Sequence, residues 1–186
     1  MPTHVALLRG VNVGGVKLPM AELRKLVTSL GYADVATYIQ SGNLLFTPAP
    51  TAGNEALAAG LRKAIAAEFG IDTPVIVVTR DELAGVIEAN PYPDEPKPQY
   101  LHGVFLSAEP DQAARDKVEA TVKSFSEKGS RDEATYRGRV LYLHTPDGFG
   151  PSELAKALVT KKTSPVATGT ARNWATITKL MALCDG

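Results

Sequence analysis

One cysteine, Cys184, is all the chain has, so no intrachain disulfide can form, a usage that suits a reducing compartment. No apolar run approaches the ~20 residues that span a bilayer. The run Val5-Ala6-Leu7-Leu8 stops at Arg9, and no basic leader precedes it, so a cytoplasmic protein with no membrane partner is expected. Neither sign of charge is in surplus: 20 Lys and Arg face 20 Asp and Glu, for a formal net charge of +0. A protein that tracks a nucleic-acid backbone usually shows a basic excess, which speaks against nucleic acid as a partner. Histidine is scarce too. His4, His102 and His144 show no i, i+2 or i, i+4 ligand spacing, so neither a metal site nor a cofactor is expected.

What is present is an ordinary globular balance, 44% hydrophobic and 22% charged over 186 residues. His4 to Leu8 reads as a buried strand. Pro19 suits a first helical turn; Met20, Leu23, Val27 and Leu30 follow at helical spacing, and Gly31 closes the helix. Val35 to Gln40 reads as a strand, Ser41-Gly42-Asn43 as a tight turn and Leu44 to Thr47 as the returning strand. A loop is expected over Thr51 to Asn54, then a helix striped by Leu57, Leu61, Ile65 and Phe69 and ended by Gly70. A strand over Pro74 to Thr79 and a short helix over Asp81 to Ala89 complete this part. The order β-α-β-β-α-β is the ferredoxin-like pattern.

"NPYPDEPKPQ", residues 90–99, is too rich in proline for helix or central strand and reads as a linker. The pattern then recurs: strand Leu101 to Ser107, helix Asp111 to Phe125, strands Glu133 to Tyr136 and Val140 to His144, helix Ser152 to Val159, short strand Pro165 to Thr168. A last helix runs from about Thr170 to Cys184. "ATYIQSGNLLF" begins at Ala36 and "ATYRGRVLYL" at Ala134, 98 residues apart and at the same place in the pattern. The expected fold is therefore α+β: two tandem ferredoxin-like (βαββαβ) halves plus a C-terminal helix. The first half covers 1–89, the linker 90–100, and the second half with that helix 101–186.

This topology has a geometric consequence. The first two strands of each half run parallel, so the loop after strand one and the hairpin after strand two lie at the same end of the sheet. Arg9 to Gly15 is thereby placed beside Ser41-Gly42-Asn43. A small anionic ligand suits such a rim: Gly14-Gly15 can turn amides outward, the following helix N-terminus adds partial positive charge, and Arg9 supplies a fork of donors. On that reading Arg9, Asn12, Gly14 and Gly15 hold the anion while Ser41 and Asn43 orient it. The plainer reading is a sharp connection and an ordinary hairpin turn. The loop is not a Walker A motif, since Val16 stands where lysine belongs and no hydroxyl follows Lys17; nor does it match G-x-G-x-x-G.

In "TGTARNWATITKL", residues 168–180, Thr170 is a good N-cap. Trp174, Ile177, Met181 and Cys184 would form the buried stripe, leaving Arg172 and Asn173 in the first helical turn. Arg172 there needs a carboxylate or an external anion.

"LLRGVNVGG", "PMAELRKLVTSLGYADVATYIQSGNLLF", "NPYP" and "TARNWATITKL" together resemble the bacterial family called domain of unknown function 1697. The resemblance implies a duplicated ferredoxin-like α+β fold and no particular activity. It places Arg9, Gly10, Asn12, Gly14, Gly15, Ser41, Gly42, Asn43, Thr170, Arg172 and Asn173 in the family's signature without giving them roles.

No reaction is identified. Ser41 lacks a G-x-S-x-G setting. Cys184 reads as a small buried hydrophobe. Asp94-Glu95 and Asp132-Glu133 read as solvated charge. Two alternatives to anion binding stand: a protein-interaction or oligomerisation module pairing through edge strands, and RNA binding. The latter wants aromatics on strands one and three, where only Phe46 qualifies.

Overall fold

The computed structural model describes residues 1–50 and 52–186; within the loop expected over 51–54, Thr51 lies outside the described residues. It is a mixed α/β structure with two four-stranded antiparallel sheets and, among the described residues, six α-helices. The chain divides into two compact units, Met1–Gly85 with Lys179–Gly186, and Val86–Thr178.

In the first unit β1 (His4–Leu8) lies inside the sheet, antiparallel to both β3 (Asn43–Thr47) and β4 (Val75–Thr79); β2 (Ala33–Tyr38) pairs with β3, giving the order β2-β3-β1-β4. Ala6, Leu8, Leu44, Phe46 and Val77 form one core with α1 (Met20–Ser29) and α2 (Asn54–Phe69). Their alternates Val5, Leu7, Leu45, Ile76 and Val78 are buried as well, which is why these strands read as continuous apolar runs. α1 buries Met20, Leu23 and Val27, whereas Leu30, expected in the same stripe, is largely exposed at the C-cap. Pro19 is the residue before the helix, with ψ 123°, rather than its first turn. α2 buries Leu57, Leu61 and Ile65 and ends on left-handed Gly70, as its spacing predicts. β2 begins two residues before the expected Val35. A bulge at Asp34 (φ 51°), whose carboxylate accepts from Thr47 Oγ1 at 2.7 Å, carries the pairing back to Ala33.

In the second unit β5 (Leu101–Phe105), β6 (Glu133–Arg137), β7 (Val140–His144) and β8 (Thr170–Asn173) adopt the order β6-β7-β5-β8. Its core joins Val104, Leu141 and Leu143 to Val118 of α4 (Gln112–Ser126) and to Leu154 of α5 (Glu153–Ala155), which continues as a π-helical turn over Lys156–Thr160. Asp111 caps α4 by accepting from Ala114 N at 2.8 Å. The repeated Ala-Thr-Tyr segments occupy corresponding strands: Ala36 is opposite Leu45, and Ala134 opposite Leu143.

Two expectations are corrected here. The last strand is not 165–168, which is turn, but β8 at Thr170–Asn173, and α6 follows only at Trp174–Asp185. Residues 90–99, expected as a linker, lie within the second unit. The unit boundary falls earlier, between Gly85 and Val86 inside α3 (Arg80–Glu88), and the proline-rich segment packs on the second unit. Tyr92 OH lies 3.3 Å from Thr135 Oγ1, and Glu95 Oε2 lies 2.7 Å from His144 Nε2.

Candidate functional site

The β1–α1 loop and the turn between β2 and β3 meet at one end of the first sheet. Leu7 pairs with Asn43, and Leu8 N donates to Gly42 O at 2.8 Å. Asn12 clasps the two together. Its Nδ2 donates to Gln40 O at 2.7 Å and to Leu18 O at 3.0 Å, while Oδ1 accepts from Leu18 N at 2.8 Å. That arrangement holds Asn12 at φ 56°, a conformation asparagine tolerates better than most residues. Gly42 is buried at φ 76°, and a Cβ there would lie 2.6 Å from Val11 Cγ2 and 2.8 Å from Leu8 Cβ, so only glycine fits. Asn43 is fully buried; its Nδ2 donates to Tyr38 O at 3.1 Å and Ser41 Oγ at 2.9 Å. Asn12, Gly42 and Asn43 therefore build the rim, and Asn43, expected to orient a ligand, has no surface to offer one.

The outer face belongs to other residues. Gly10, Gly14, Gly15, Lys17 and Ser41 are exposed and Arg9 is half-buried. Gly14 (φ 58°) and Gly15 (φ 88°) form a mirror-image turn closed by Val16 N donating to Val13 O at 3.1 Å. Their own N–H groups donate to no acceptor among the described residues. The backbone of Arg9 is anchored on both sides: its N–H donates to Pro74 O at 3.0 Å, and its carbonyl accepts from Thr73 Oγ1 at 2.6 Å. No carboxylate occurs in residues 7–21 or 35–47. The expected help from a helix N-terminus is missing. Residues 16–19 run outside any helix before Met20, and a helix-end field falls off within a turn.

Two apolar side chains share this rim. Val13 is 60% exposed, and Ile39 is 50% exposed at φ 49°, a conformation that β-branched residues almost never adopt.

Thr170, Arg172 and Asn173 lie in the second unit. Asn173, not Thr170, caps α6 by accepting from Thr176 N at 2.8 Å. Thr170 is buried on β8 and accepts from Arg172 Nη1 at 2.7 Å. Arg172 is buried on the same strand rather than exposed in a helical turn; Nη1 also donates to Ala171 O at 2.8 Å, and burial pushes its pKa down to about 10. Along α6, Ile177, Leu180 and Cys184 are buried, while Trp174 and Met181 are only half so.

Two carboxylates expected in solvent are not there. Asp132 is buried and accepts from Ser152 Oγ at 2.8 Å. The hydrogen bond from His144 holds the Glu95 carboxyl below its ordinary range. Neither could be found by local pattern, since each partner is 20 or more residues away. Phe46 is fully buried against Tyr32, ring centres 5.1 Å apart, and offers no face for a base. Among the described residues no group of three His, Cys, Asp or Glu is placed to hold a metal, and no helix is long and apolar enough to cross a membrane.

A family model described as Protein of unknown function (DUF1697) matches residues 1–142. Among solved structures, the conserved bacterial protein SP0830 from Streptococcus pneumoniae is similar over 98% of both chains, with 23% identity and a TM-score of 0.74. At that identity the likeness speaks for the fold alone. No curated protein matches the chain.

Proposed function

The chain belongs to the DUF1697 family of proteins of unknown function, and for this member we propose that the rim joining the β1–α1 loop to the 39–42 turn binds a small anionic ligand such as a phosphorylated metabolite. One observation carries the reading: the adjacent Gly14 and Gly15 amides are exposed, without an acceptor among the described residues, in a stretch whose only charged side chains are Arg9 and Lys17. The Asn12 clasp keeps the two turns in one arrangement before a ligand arrives, which lowers the ordering cost of binding. Ser41 and Lys17 flank the amides in sequence and across the clasp. Each unit is read as a ferredoxin-like half of a duplicated chain, which the repeated strand order and the matched Ala-Thr-Tyr hairpins support; a cytoplasmic location is read from the single cysteine.

Thermal-shift screening against phosphate, sugar phosphates and nucleotides tests the proposal. A ligand at about 100 times its Kd stabilises by roughly 2.7 kcal/mol, well within detection, and the gain should shrink in Lys17→Glu. No stabilisation across the panel, or stabilisation that Lys17→Glu and Arg9→Ala both leave unchanged, refutes it.

A second reading, contact with another protein, is favoured by Ile39. Holding a β-branched residue at φ 49° costs on the order of 1–3 kcal/mol and presents its side chain to solvent beside exposed Val13. Light scattering at two concentrations, with Ile39→Asn as control, distinguishes this from a monomeric binder.

A further inference from the structure

The second unit contains a cleft of about 540 Å³ between the loop that follows α4 and the loop that follows β7, a size ordinary for small-molecule sites. Asp132 lines it and is only 8% exposed. One of its oxygens, Oδ2, accepts from Ser152 Oγ at 2.8 Å. Ser152 Oγ in turn accepts from Ala155 N at 2.8 Å, which directs the hydroxyl proton to the carboxylate and holds Asp132 in place. The other oxygen, Oδ1, has no hydrogen-bond partner among the described residues. Oδ1 is not among the side-chain atoms sealed from solvent without a partner, so it is open to the cleft and within reach of a donor that enters it.

The charges around the cleft sort themselves. Arg131 is paired with Asp147, and Glu153 with Lys156 at 2.6 Å, so each of these cancels locally. Two charges make no ion pair among the described residues: Asp132, buried beside Arg131, and the exposed Lys128, whose ammonium lies 5.6 Å from the centre of the Phe125 ring. Phe125 and Pro151 supply apolar wall. A simple amine drawn to Asp132 would sit in a cleft that Lys128 also lines. A simple carboxylate drawn to Lys128 would meet Asp132 inside. A molecule carrying both charges satisfies both positions.

We propose that this cleft is a binding site for a small zwitterion of amino-acid or dipeptide kind, its ammonium donating to Asp132 Oδ1 and its carboxylate facing Lys128. Ser152 is a positioning residue here, acting through Asp132. The site is separate from the glycine rim and does not depend on it.

Amide-resolved NMR titration of the full chain tests this with four probes sharing one apolar body: L-phenylalanine, the dipeptide Phe-Gly, 2-phenylethylamine and 3-phenylpropionate. The zwitterions should shift the amides of Gly129 and Gly148, which line the cleft, in a saturable way, and the single-charge probes should bind about tenfold more weakly or worse. Asp132→Asn should weaken the zwitterions by a similar factor. Lys128→Glu, a substitution at an exposed position, should do the same while leaving the rest of the spectrum unchanged, and it decides the matter if Asp132→Asn fails to fold. Absence of saturable shifts at both glycines, equal binding of the single-charge probes, or zwitterion binding unaffected by Lys128→Glu overturns the proposal.

Discussion

Replacing Asn12 removes three hydrogen bonds at once, to Gln40 O, Leu18 O and Leu18 N. At about 1 kcal/mol net for each, Asn12→Ala should cost roughly 3 kcal/mol, with the exposed Gln40 bond at the low end. Alanine at φ 56° adds about 1 kcal/mol more. Asn12→Gly loses the same bonds without that backbone strain, so it should be milder than alanine by about 1 kcal/mol. Asn12→Asp keeps the acceptor for Leu18 N but turns an anionic oxygen toward two carbonyls. It should be strongly destabilising at neutral pH and recover in acid, once the carboxyl protonates and can donate. Urea denaturation followed by circular dichroism measures all three, and faster amide exchange at Leu18 would localise the loss. If Asn12→Ala costs less than about 1 kcal/mol, or if glycine is no milder than alanine, the clasp does not hold the two turns together.

Glycine substitutions should separate close packing from mere turn geometry. Gly42→Ala combines left-handed strain with contacts under 3 Å and should cost about 2–4 kcal/mol, against about 1 kcal/mol for Gly14→Ala, which meets open space; similar urea midpoints would contradict the packing assignment. His102 stacks on Phe149 at 4.0 Å with Nδ1 unpartnered, and burial pushes its pKa down to about 4. The unfolded chain therefore takes up the proton first. Stability should be full above about pH 6.5 and fall by up to about 3 kcal/mol as pH drops toward 4. His102→Phe should flatten that dependence between about pH 7.5 and pH 4.5, and an unchanged slope would refute the assignment. Burial, then the neighbouring Asp185, raises the Cys184 thiol pKa. A disulfide reagent should label the native protein only as fast as it opens; immediate labelling would contradict the packing of α6.

The elements visible in the sequence are those whose burial follows a period. β1 and β7 match their expected bounds, His4–Leu8 and Val140–His144, because each is an apolar run inside a sheet, and α2 matches its stripe and its terminating glycine. β8 was invisible for the opposite reason. Its two buried residues are Thr170 and Arg172, polar side chains that no hydrophobic pattern assigns to an interior strand, so Thr170 reads as a helix cap that Asn173 in fact supplies. The meeting of the glycine loop with the β2–β3 turn followed from topology. The clasp that fixes it did not, because a bond from Asn12 to Gln40 spans 28 residues and leaves no local trace. Asp132 and Glu95 escape the sequence for the same reason: a carboxylate in a polar stretch reads as solvated until its distant partner is known.

The reading of the first-unit rim comes down to two amide groups, and an amide-resolved titration of the full chain with inorganic phosphate addresses them directly. Gly14 and Gly15 should shift together and saturably, less so in Lys17→Glu, with Gly129 and Gly148 unmoved. Phosphate that leaves both Gly14 and Gly15 in place, or that shifts them identically when Lys17 is reversed in charge, would contradict the account.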